Sequence, residues 1–277
     1  MNPICIGTDA FTSGCATNAY FNGSVDDVAV WNTAIGYYDI QKIYLRQSCN
    51  EAPVPQASKL AGLWHLDEPT PNMSISNFID QSANANNLSN SGSIYGSDGK
   101  FGFAPTFTSD PTYLYKNSPA GLPTSGSKTL AAWFKTTAST TCSSTACNIG
   151  GFGENTTGLN FQVGVYSNQF VVYGWGSDWT TGVSASGFMD TGWHHIAITY
   201  AAGSPNTTKI YLDGVLKATS TVNTFNTKPT YLVIGQAIHK TSMTFPGKID
   251  EFAIWSTDLS SSEVANLFNR ARPLPTP

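Results

Sequence analysis

Hydrophobic and polar residues alternate in short runs along most of the chain. Alternation of this kind places apolar side chains on one face of a β-strand and polar side chains on the other. It recurs in TLAAWFKT (129–136), LNFQVGVY (159–166), QFVVYGW (169–175), WHHIAITY (193–200) and KIYLDGVLKA (209–218). Gly, Asn, Ser, Thr or Pro separates the runs, so the pattern predicts an all-β sandwich of many strands.

A tight turn and two short helices are also predicted. Asp213-Gly214 lies between two strand-like runs, which predicts a two-residue hairpin. Residues 259–271 carry Ser260 and Glu263 at the spacing of a capping box, which predicts a short C-terminal helix. Residues 36–47 predict a second short helix. The apolar residues expected to face inward are Leu259, Val264, Leu267 and Phe268 in the first helix, and Ile40, Ile43 and Tyr44 in the second.

The sequence contains an internal repeat. Positions 21–47 align with 245–271 without a gap at a shift of 224 residues, and ICIG (4–7) echoes LVIG (232–235). The identical residues are Phe21, Gly23, Asp26, Ala29, Trp31, Thr33 and Arg46, which recur as Phe245, Gly247, Asp250, Ala253, Trp255, Thr257 and Arg270. The predicted organisation is a segment of residues 1–50, a Pro-containing linker of residues 51–58, a sandwich of residues 59–272 and a tail of residues 273–277.

Several motifs of the main sandwich resemble the laminin G-like jelly roll of the concanavalin A type. They are LAGLWHLDE, FIDQSANANNLSNSG, GKFGFAPTF, TLAAWFKT, GWHHIAITY, KIYLDGVLKA, YLVIG and FPGKIDEFAIWSTDLSSSEVANLF, in this order along the chain. The resemblance covers about residues 60–272 and implies an all-β sandwich with a short C-terminal helix. Residues 1–48 resemble only the closing strands and helix of a second copy.

The first 50 residues are too few to bury a sandwich core by themselves. Unpaired strand edges seek partners. We therefore expect ICIG and FNGSVDDVAVW (21–31) to form strands that pack against the main sandwich or against the same segment of a second copy. Trp31 is then expected to be covered, and a homo-oligomer through residues 1–50 is one outcome.

Composition narrows the function class. Charged residues make up 12% of the chain, net charge is −4, and the 14 basic residues form no cluster. These values argue against a nucleic-acid partner and against a charge-rich cytosolic enzyme. No apolar run reaches the length of about 18 residues that spans a membrane. The N-terminus lacks the features of a signal peptide, so we expect Met1 to lie within a longer secreted protein.

The five cysteines favour an oxidising compartment. Cys142 and Cys147 enclose a small polar loop, CSSTAC, which predicts a disulfide at a hairpin end. Metal binding is the alternative, but neither His-rich nor CxxC spacing accompanies it. The second predicted bridge is Cys15–Cys49, which leaves Cys5 as a small buried hydrophobic residue.

No arrangement of residues predicts catalysis. A retaining glycosidase needs two carboxylates about 5–5.5 Å apart. Asp250 and Glu251 are adjacent, so a strand points them to opposite faces, and Asp67 and Glu68 fail in the same way. His194 and His195 are interpreted as ordinary strand residues. The chain is therefore predicted not to be an enzyme.

The resemblance implies a structural Ca²⁺ in many members of the family. Asp80 and Asp250 occupy the matching positions in this sequence. The alternative is that Asp80 forms an Asx-turn with Ser82 and that Asp250 caps a turn. Ala83 stands where the family usually has glycine, which weakens the calcium prediction.

Aromatic residues provide the candidate ligand site. Saccharides stack on aromatic faces and take a few polar contacts for orientation. Tyr173, Trp175 and Trp179 lie among small polar residues and are the predicted contacts, with core packing as the alternative. His239, beside Lys240, is predicted at the rim. Trp64, Trp133, Trp193 and Trp255 are predicted to be core residues.

We therefore expect a non-catalytic, extracellular recognition module. The favoured ligand is a glycan or cell-surface polymer, as for an adhesin or fibre-tip domain of a bacterium. The alternatives are a structural or protein–protein interaction module without a sugar site, and an accessory domain of a secreted glycosidase.

Overall fold

The computed structural model describes residues 4–11, 14–25, 28–34, 40, 54–68, 77–92, 94–107, 111–137, 142, 145–238 and 243–269. The chain divides into two compact units, residues 1–44 and 45–277. The predicted boundary at residues 50–59 lies close to this division. That the first unit is part of a second laminin G-like repeat stays a prediction.

The described part of the first unit contains one β-hairpin. Its strands are β1, Thr8–Phe11, and β2, Gly14–Tyr20. The predicted strands at ICIG and at residues 21–31 are wrong, because residues 4–7 and the described parts of 21–31 are not in strands. Ile40 is helical but 52% exposed, so its predicted inward position is also wrong. Most of the second predicted helix lies outside the described residues.

The disulfide in the first unit differs from the prediction. Cys5 is bonded to Cys15, with their Cα atoms 5.7 Å apart. The Cys15–Cys49 prediction is therefore wrong, and Cys5 is not a free buried thiol. The hairpin closes the distance between residues 5 and 15, which is information that cysteine spacing alone does not carry.

A β-sandwich forms the second unit. Its first sheet has seven antiparallel strands in the order β12-β11-β10-β9-β16-β7-β4. Their bounds are β4, Ser89–Ser91; β7, Tyr113–Asn117; β9, Cys147–Gly153; β10, Asn160–Tyr166; β11, Gln169–Tyr173; β12, Trp179–Ser184; and β16, Tyr231–Ile234.

The second sheet has eight strands in the order β15-β14-β13-β8-β17-β6-β5, with β3 also pairing with β17. Their bounds are β3, Leu60–Trp64; β5, Tyr95–Asp98; β6, Phe103–Phe107; β8, Lys128–Thr136; β13, His194–Ala201; β14, Thr207–Leu212; β15, Val215–Ser220; and β17, Gly247–Trp255. A short 3-10 turn, Ala57–Lys59, precedes β3.

Alternating side chains build the core between the two sheets. In β10, for example, Phe161, Val163 and Val165 point into the core, as the alternation predicts. The predicted hairpin at Asp213-Gly214 is confirmed, since Leu212 pairs with Val215 and both turn residues have positive φ. The all-β sandwich is therefore confirmed.

The C-terminal helix α1, Ser261–Asn269, covers the outer face of the eight-stranded sheet. The predicted capping box is present. Glu263 N donates to Ser260 Oγ, and Ser260 N donates to a carboxylate oxygen of Glu263 at 2.8 Å. Val264 and Leu267 are buried against the sheet. No helix in the described part of the chain is long and apolar enough to cross a membrane.

Candidate functional site

Polar residues on the outer face of the seven-stranded sheet form the candidate site. Strand β10 turns Asn160, Gln162 and Gly164 away from the core, because their neighbours Phe161 and Val163 face it. Gln162 lies between Gly151 of β9 and Tyr173 of β11. Together with residues of β9 and β11, these outward residues of β10 form a polar trough, which consists of Asn148, Asn160, Gln162, Tyr173 and three glycines, Gly151, Gly153 and Gly164.

The glycines keep the middle of the trough free of side chains. A Cβ atom at Gly151 would lie 2.4 Å from the carbonyl oxygen of Phe161, and one at Gly164 would lie 2.6 Å from that of Cys147. Both contacts are far closer than van der Waals distance. The fold therefore requires glycine at these two positions of β9 and β10.

The trough contains buried polar atoms that have no hydrogen-bond partner among the described residues. They are Asn160 Oδ1 and Nδ2, Gln162 Oε1, Asn148 Nδ2 and the Tyr173 hydroxyl. A buried polar atom without a partner costs about 1–3 kcal/mol. Five such atoms on one face of one sheet make a set of donors and acceptors suited to hydroxyl groups of a ligand or to ordered water.

Other contacts hold the trough in shape. Gln162 Nε2 donates to the carbonyl oxygen of Gln236 at 2.8 Å, and Gln236 Nε2 donates to Thr244 Oγ1 at 3.2 Å. Burial raises the pKa of the Tyr173 hydroxyl, with a further contribution from Asp178. The phenol is therefore protonated and can donate a hydrogen bond at neutral pH.

The structure separates the residues predicted to bind a ligand. Tyr173 belongs to the trough. Trp175 is half-buried in the turn that follows Tyr173 and has a φ of 54°. Trp179 begins β12 and packs against the core, which favours the packing alternative for this residue. His239 lies outside the described residues.

Sequence reasoning missed Asn148, Asn160 and Gln162. Their alternation with apolar residues is visible in the sequence, but it is equally typical of a solvated strand face. The structure instead leaves these three residues at most 2% exposed. Buried polar residues on an outer sheet face are the signal that the structure adds.

Asp80 does not fit the calcium site that the family implies. Its two carboxylate oxygens accept hydrogen bonds from Leu63 N, Ser82 N, Ser82 Oγ and Asn86 N at 2.8–3.0 Å. A carboxylate has about four lone-pair sites, so these donors leave none for a cation. The interpretation of Asp80 as a turn-forming residue agrees with these contacts.

Asp250 has a different set of donors. Its carboxylate accepts from Phe101 N at 3.0 Å and from Glu251 N at 2.8 Å, and the side chain is fully buried. Among the described residues, no group of three or more His, Cys, Asp or Glu side chains is placed to hold a metal ion. The calcium site stays a prediction that these contacts do not support.

A small cavity lies on the outer face of the eight-stranded sheet. Leu63, Trp133, His195 and Glu251 are among its lining residues. His65 Nδ1 is 2.8 Å from a carboxylate oxygen of Glu251, and Lys100 Nζ lies 4.2 Å from the Trp133 ring centre. Glu251 is thus already paired, and His195 Nδ1 is the one buried polar side-chain atom of the lining without a hydrogen-bond partner among the described residues. The polar trough has five such atoms, which is why it is the better candidate.

The two strand histidines differ in environment. His194 Nδ1 is 2.9 Å from Asp213 and its Nε2 is 3.1 Å from Asp190, and hydrogen bonding to Asp213 raises the pKa of His194. Burial lowers the pKa of His195 to about 4. Both residues are part of β13, as predicted, and that the chain is not an enzyme stays a prediction.

Glu68 should make stability depend on pH. Burial raises the pKa of this carboxyl to about 7, above the ordinary value of 4.5. The native state therefore binds more protons than the unfolded state between these values, so stability falls as pH rises from about 4.5 to 7. Replacing Glu68 by Gln should stabilise the protein at pH 8 by about 3 kcal/mol and remove this dependence.

Urea unfolding of the wild type and Glu68→Gln between pH 4 and pH 8 tests the prediction. Glu154→Gln is the control, because Glu154 lies at the surface beside Lys228 and should leave the pH profile unchanged. Parallel pH profiles for the wild type and Glu68→Gln would contradict the prediction.

Comparison with known proteins confirms the resemblance found in the sequence. The family model of the laminin G-like kind, described as concanavalin A-like lectin/glucanases superfamily, matches residues 109–265, more than half of the chain. No curated protein sequence matches at a significant level.

Solved structures with a similar fold include binding domains of botulinum neurotoxins. One is from botulinum neurotoxin type C, whose cell entry depends on interaction with two ganglioside molecules (TM-score 0.59, 15% identity). Another is the serotype D ligand binding domain in complex with N-acetylneuraminic acid (TM-score 0.57, 13% identity). A third is the binding domain of type DC in complex with rat synaptotagmin II (TM-score 0.57, 15% identity).

Each match covers 77% of this chain, and the chain spans about half the length of each neurotoxin chain. At these identities the likeness is one of fold, and it agrees with the family match in placing a jelly roll over the second unit. With its two sheets, its C-terminal helix and the family match to residues 109–265, the chain belongs to the laminin G-like members of the concanavalin A-like lectin/glucanases superfamily.

Proposed function

We propose that this chain is a non-catalytic recognition module that binds a glycan in the polar trough. The observation that carries the proposal is the set of five buried, unpartnered polar atoms on one outer sheet face. A saccharide offers many hydroxyl groups that both donate and accept, and it can lie flat against a glycine-lined floor beside aromatic rings.

Two further observations support the proposal. Solved structures with this fold include one in complex with N-acetylneuraminic acid and one of a toxin that uses gangliosides. The two disulfides, Cys5–Cys15 and Cys142–Cys147, are typical of an oxidising compartment, so we propose an extracellular or cell-surface location. The second bridge is the one predicted from the sequence.

Access to the trough is part of the proposal. The five polar atoms are closed off from solvent in the free chain. Tyr231, opposite Gly153 on the same face, is 41% exposed, and Tyr173 is half-buried. Glycan binding would therefore require the groups that cover these atoms to move aside, and one of them is the backbone at Gln236, whose carbonyl oxygen accepts from Gln162 Nε2.

A protein ligand is the second candidate function. One structure with this fold is bound to rat synaptotagmin II. A protein ligand would use an exposed edge or face of a sheet instead of the buried polar atoms, so substitutions inside the trough would leave its binding unchanged.

A glycan array with the labelled chain tests the proposed function. We expect binding that Tyr173→Phe weakens about tenfold, because the variant removes one buried hydrogen bond to the ligand. Trp175→Ala should also weaken binding if the ligand extends from the trough onto this half-buried ring in the turn after Tyr173. Trp179→Ala should instead lower the melting temperature, because this ring packs on the core.

Tyr20→Phe is the matched control for Tyr173→Phe. Tyr20 ends β2 in the first unit and is 68% exposed, so the loss of its hydroxyl should leave glycan binding unchanged. The absence of glycan binding, or binding that neither Tyr173→Phe nor Trp175→Ala alters, would refute the trough as the site.

A further inference from the structure

The two copies of the internal repeat differ sharply in burial. Six apolar residues of the second copy are completely buried, whereas their counterparts in the first copy, at a shift of 224 residues, are between 46% and 79% exposed. The pairs are Phe21/Phe245, Val25/Ile249, Val28/Phe252, Val30/Ile254, Trp31/Trp255 and Ile40/Val264. The same pattern of apolar residues thus has a covered form and an uncovered form within one chain.

The glycine that both copies of the repeat share is also crowded in the second copy and uncrowded by backbone in the first. In β17, a Cβ atom at Gly247 would lie 2.0 Å from the backbone oxygen of Lys135 on the neighbouring strand, so only glycine fits. A Cβ atom at Gly23 would approach only the ring of Phe21, which is a movable side chain. The surroundings of Gly23 do not require glycine, but a strand in the position of β17 does.

Strand β17 shows what this pattern needs. It pairs with β8 along one edge and with β3 and β6 along the other. Ile249, Phe252 and Ile254 face the core, while Ala253 and Trp255 face the helix on the outer side. A strand with this sequence is therefore a central strand, covered on both edges and both faces.

We propose that residues 21–31 serve as the closing strand of a partner laminin G-like sandwich in which the position of β17 is open. The described residues of this segment, 21–25 and 28–31, are not in strands. Phe21 N donates to Gly7 O at 2.9 Å, and strand addition would exchange this contact for pairing with the partner. Addition of a strand to an incomplete sheet combines main-chain hydrogen bonds with pockets for alternate side chains. It would bury Phe21, Val25, Val28, Val30 and Trp31 together.

A second copy of this chain does not provide such a position. In residues 45–277 the place between β8 and β3 is filled by β17. The homo-oligomer predicted from the sequence is therefore the competing outcome, and the proposal goes beyond glycan binding because it uses the other unit of the chain.

Hydrogen exchange on the full chain tests the proposal in two steps. In the dilute wild type, amides of residues 21–31 should exchange at nearly unprotected rates, while those of β17 are strongly protected. The acceptor protein, which should take up residues 21–31 of the wild type, is a full-length variant with Val30→Asp and Ile254→Asp. The first change disables its own segment, and the second places a carboxylate at a fully buried position of β17 and opens the sandwich.

Excess acceptor should slow exchange in residues 21–31 of the wild type at least 100-fold, and a Val30→Asp donor should show no slowing. A synthetic peptide of residues 243–271 must first restore the near-ultraviolet circular dichroism of the acceptor, which shows that its open position can be filled. If the peptide does not restore it, Phe252→Asp replaces Ile254→Asp in the acceptor.

Three results would overturn the proposal. One is protection of residues 21–31 in the dilute wild type, which would mean that the chain covers them itself. Another is protection that rises with wild-type concentration alone, which would identify a second copy as the partner. The third is no slowing with an acceptor that the peptide restores. None of these results bears on the glycan array, so the two proposals fail separately.

Discussion

Replacing Asp80 by Ala is expected to lower the free energy of unfolding by about 4 kcal/mol. Its carboxylate connects β3, through Leu63 N, to the loop of residues 80–87, through Ser82 and Asn86. Removal of the carboxylate leaves three backbone N–H groups without their acceptor in a buried region. For a unit of this size, the melting temperature should fall by about 10 °C.

Asp80→Asn and a chelator separate hydrogen bonding from calcium binding. The amide keeps one acceptor oxygen but turns an NH₂ group toward donors, so we expect an intermediate loss of stability. Because the four donors leave no lone pair for a cation, chelation should leave the melting temperature of the wild type unchanged. Asp258→Ala is the control, since Asp258 is exposed in the turn before α1.

A different result would restore the calcium prediction. If chelation lowered the melting temperature of the wild type and had no effect on Asp80→Ala, then Asp80 would be a metal ligand. The hydrogen-bond interpretation requires the opposite, a large loss of stability from the substitution both with and without calcium.

Features that depend on neighbouring residues were predicted well from the sequence. The capping box of α1 and the Asp213-Gly214 hairpin each need only a few consecutive residues, and both are confirmed. The Cys142–Cys147 bridge spans five residues and is also confirmed. Local geometry limits such features to few alternatives, which is why pattern alone suffices.

Features that depend on distant residues were not predictable. Lys128 begins β8 and is fully buried, and it donates to Phe225 O and Thr227 Oγ1, almost 100 residues later in the chain. Burial lowers the pKa of Lys128 to about 7. The burial of Gln162 likewise involves the carbonyl of Gln236, 74 residues later. Strand alternation specifies a face, but it does not specify what covers that face.

A second prediction with a large effect compares Asn160 of the polar trough with Asn86, a buried asparagine outside it. Asn86 is 2% exposed and fully engaged: its Nδ2 donates to Ala120 O at 2.9 Å, and its Oδ1 accepts from Ala120 N at 2.8 Å. Asn160 is completely buried, and neither amide atom has a partner among the described residues. The same substitution should therefore have opposite effects at the two positions.

Asn86→Val should lower the free energy of unfolding by about 3 kcal/mol, because it leaves both backbone groups of Ala120 without a partner. Asn160→Val should raise it by about 1 kcal/mol, because it removes two unsatisfied polar atoms and adds a residue that favours strands. Urea unfolding of both variants measures the contrast.

The stabilising variant should also lose the proposed function. An unsatisfied group that costs stability is expected where a ligand completes its hydrogen bonds, and removal of such a group exchanges activity for stability. We therefore expect Asn160→Val to bind glycans at least tenfold more weakly than the wild type, with its two sheets intact by circular dichroism. If Asn160→Val were strongly destabilised, internal water would be satisfying this amide in the free chain, and the trough would be a structural hydrogen-bond network instead of a binding site.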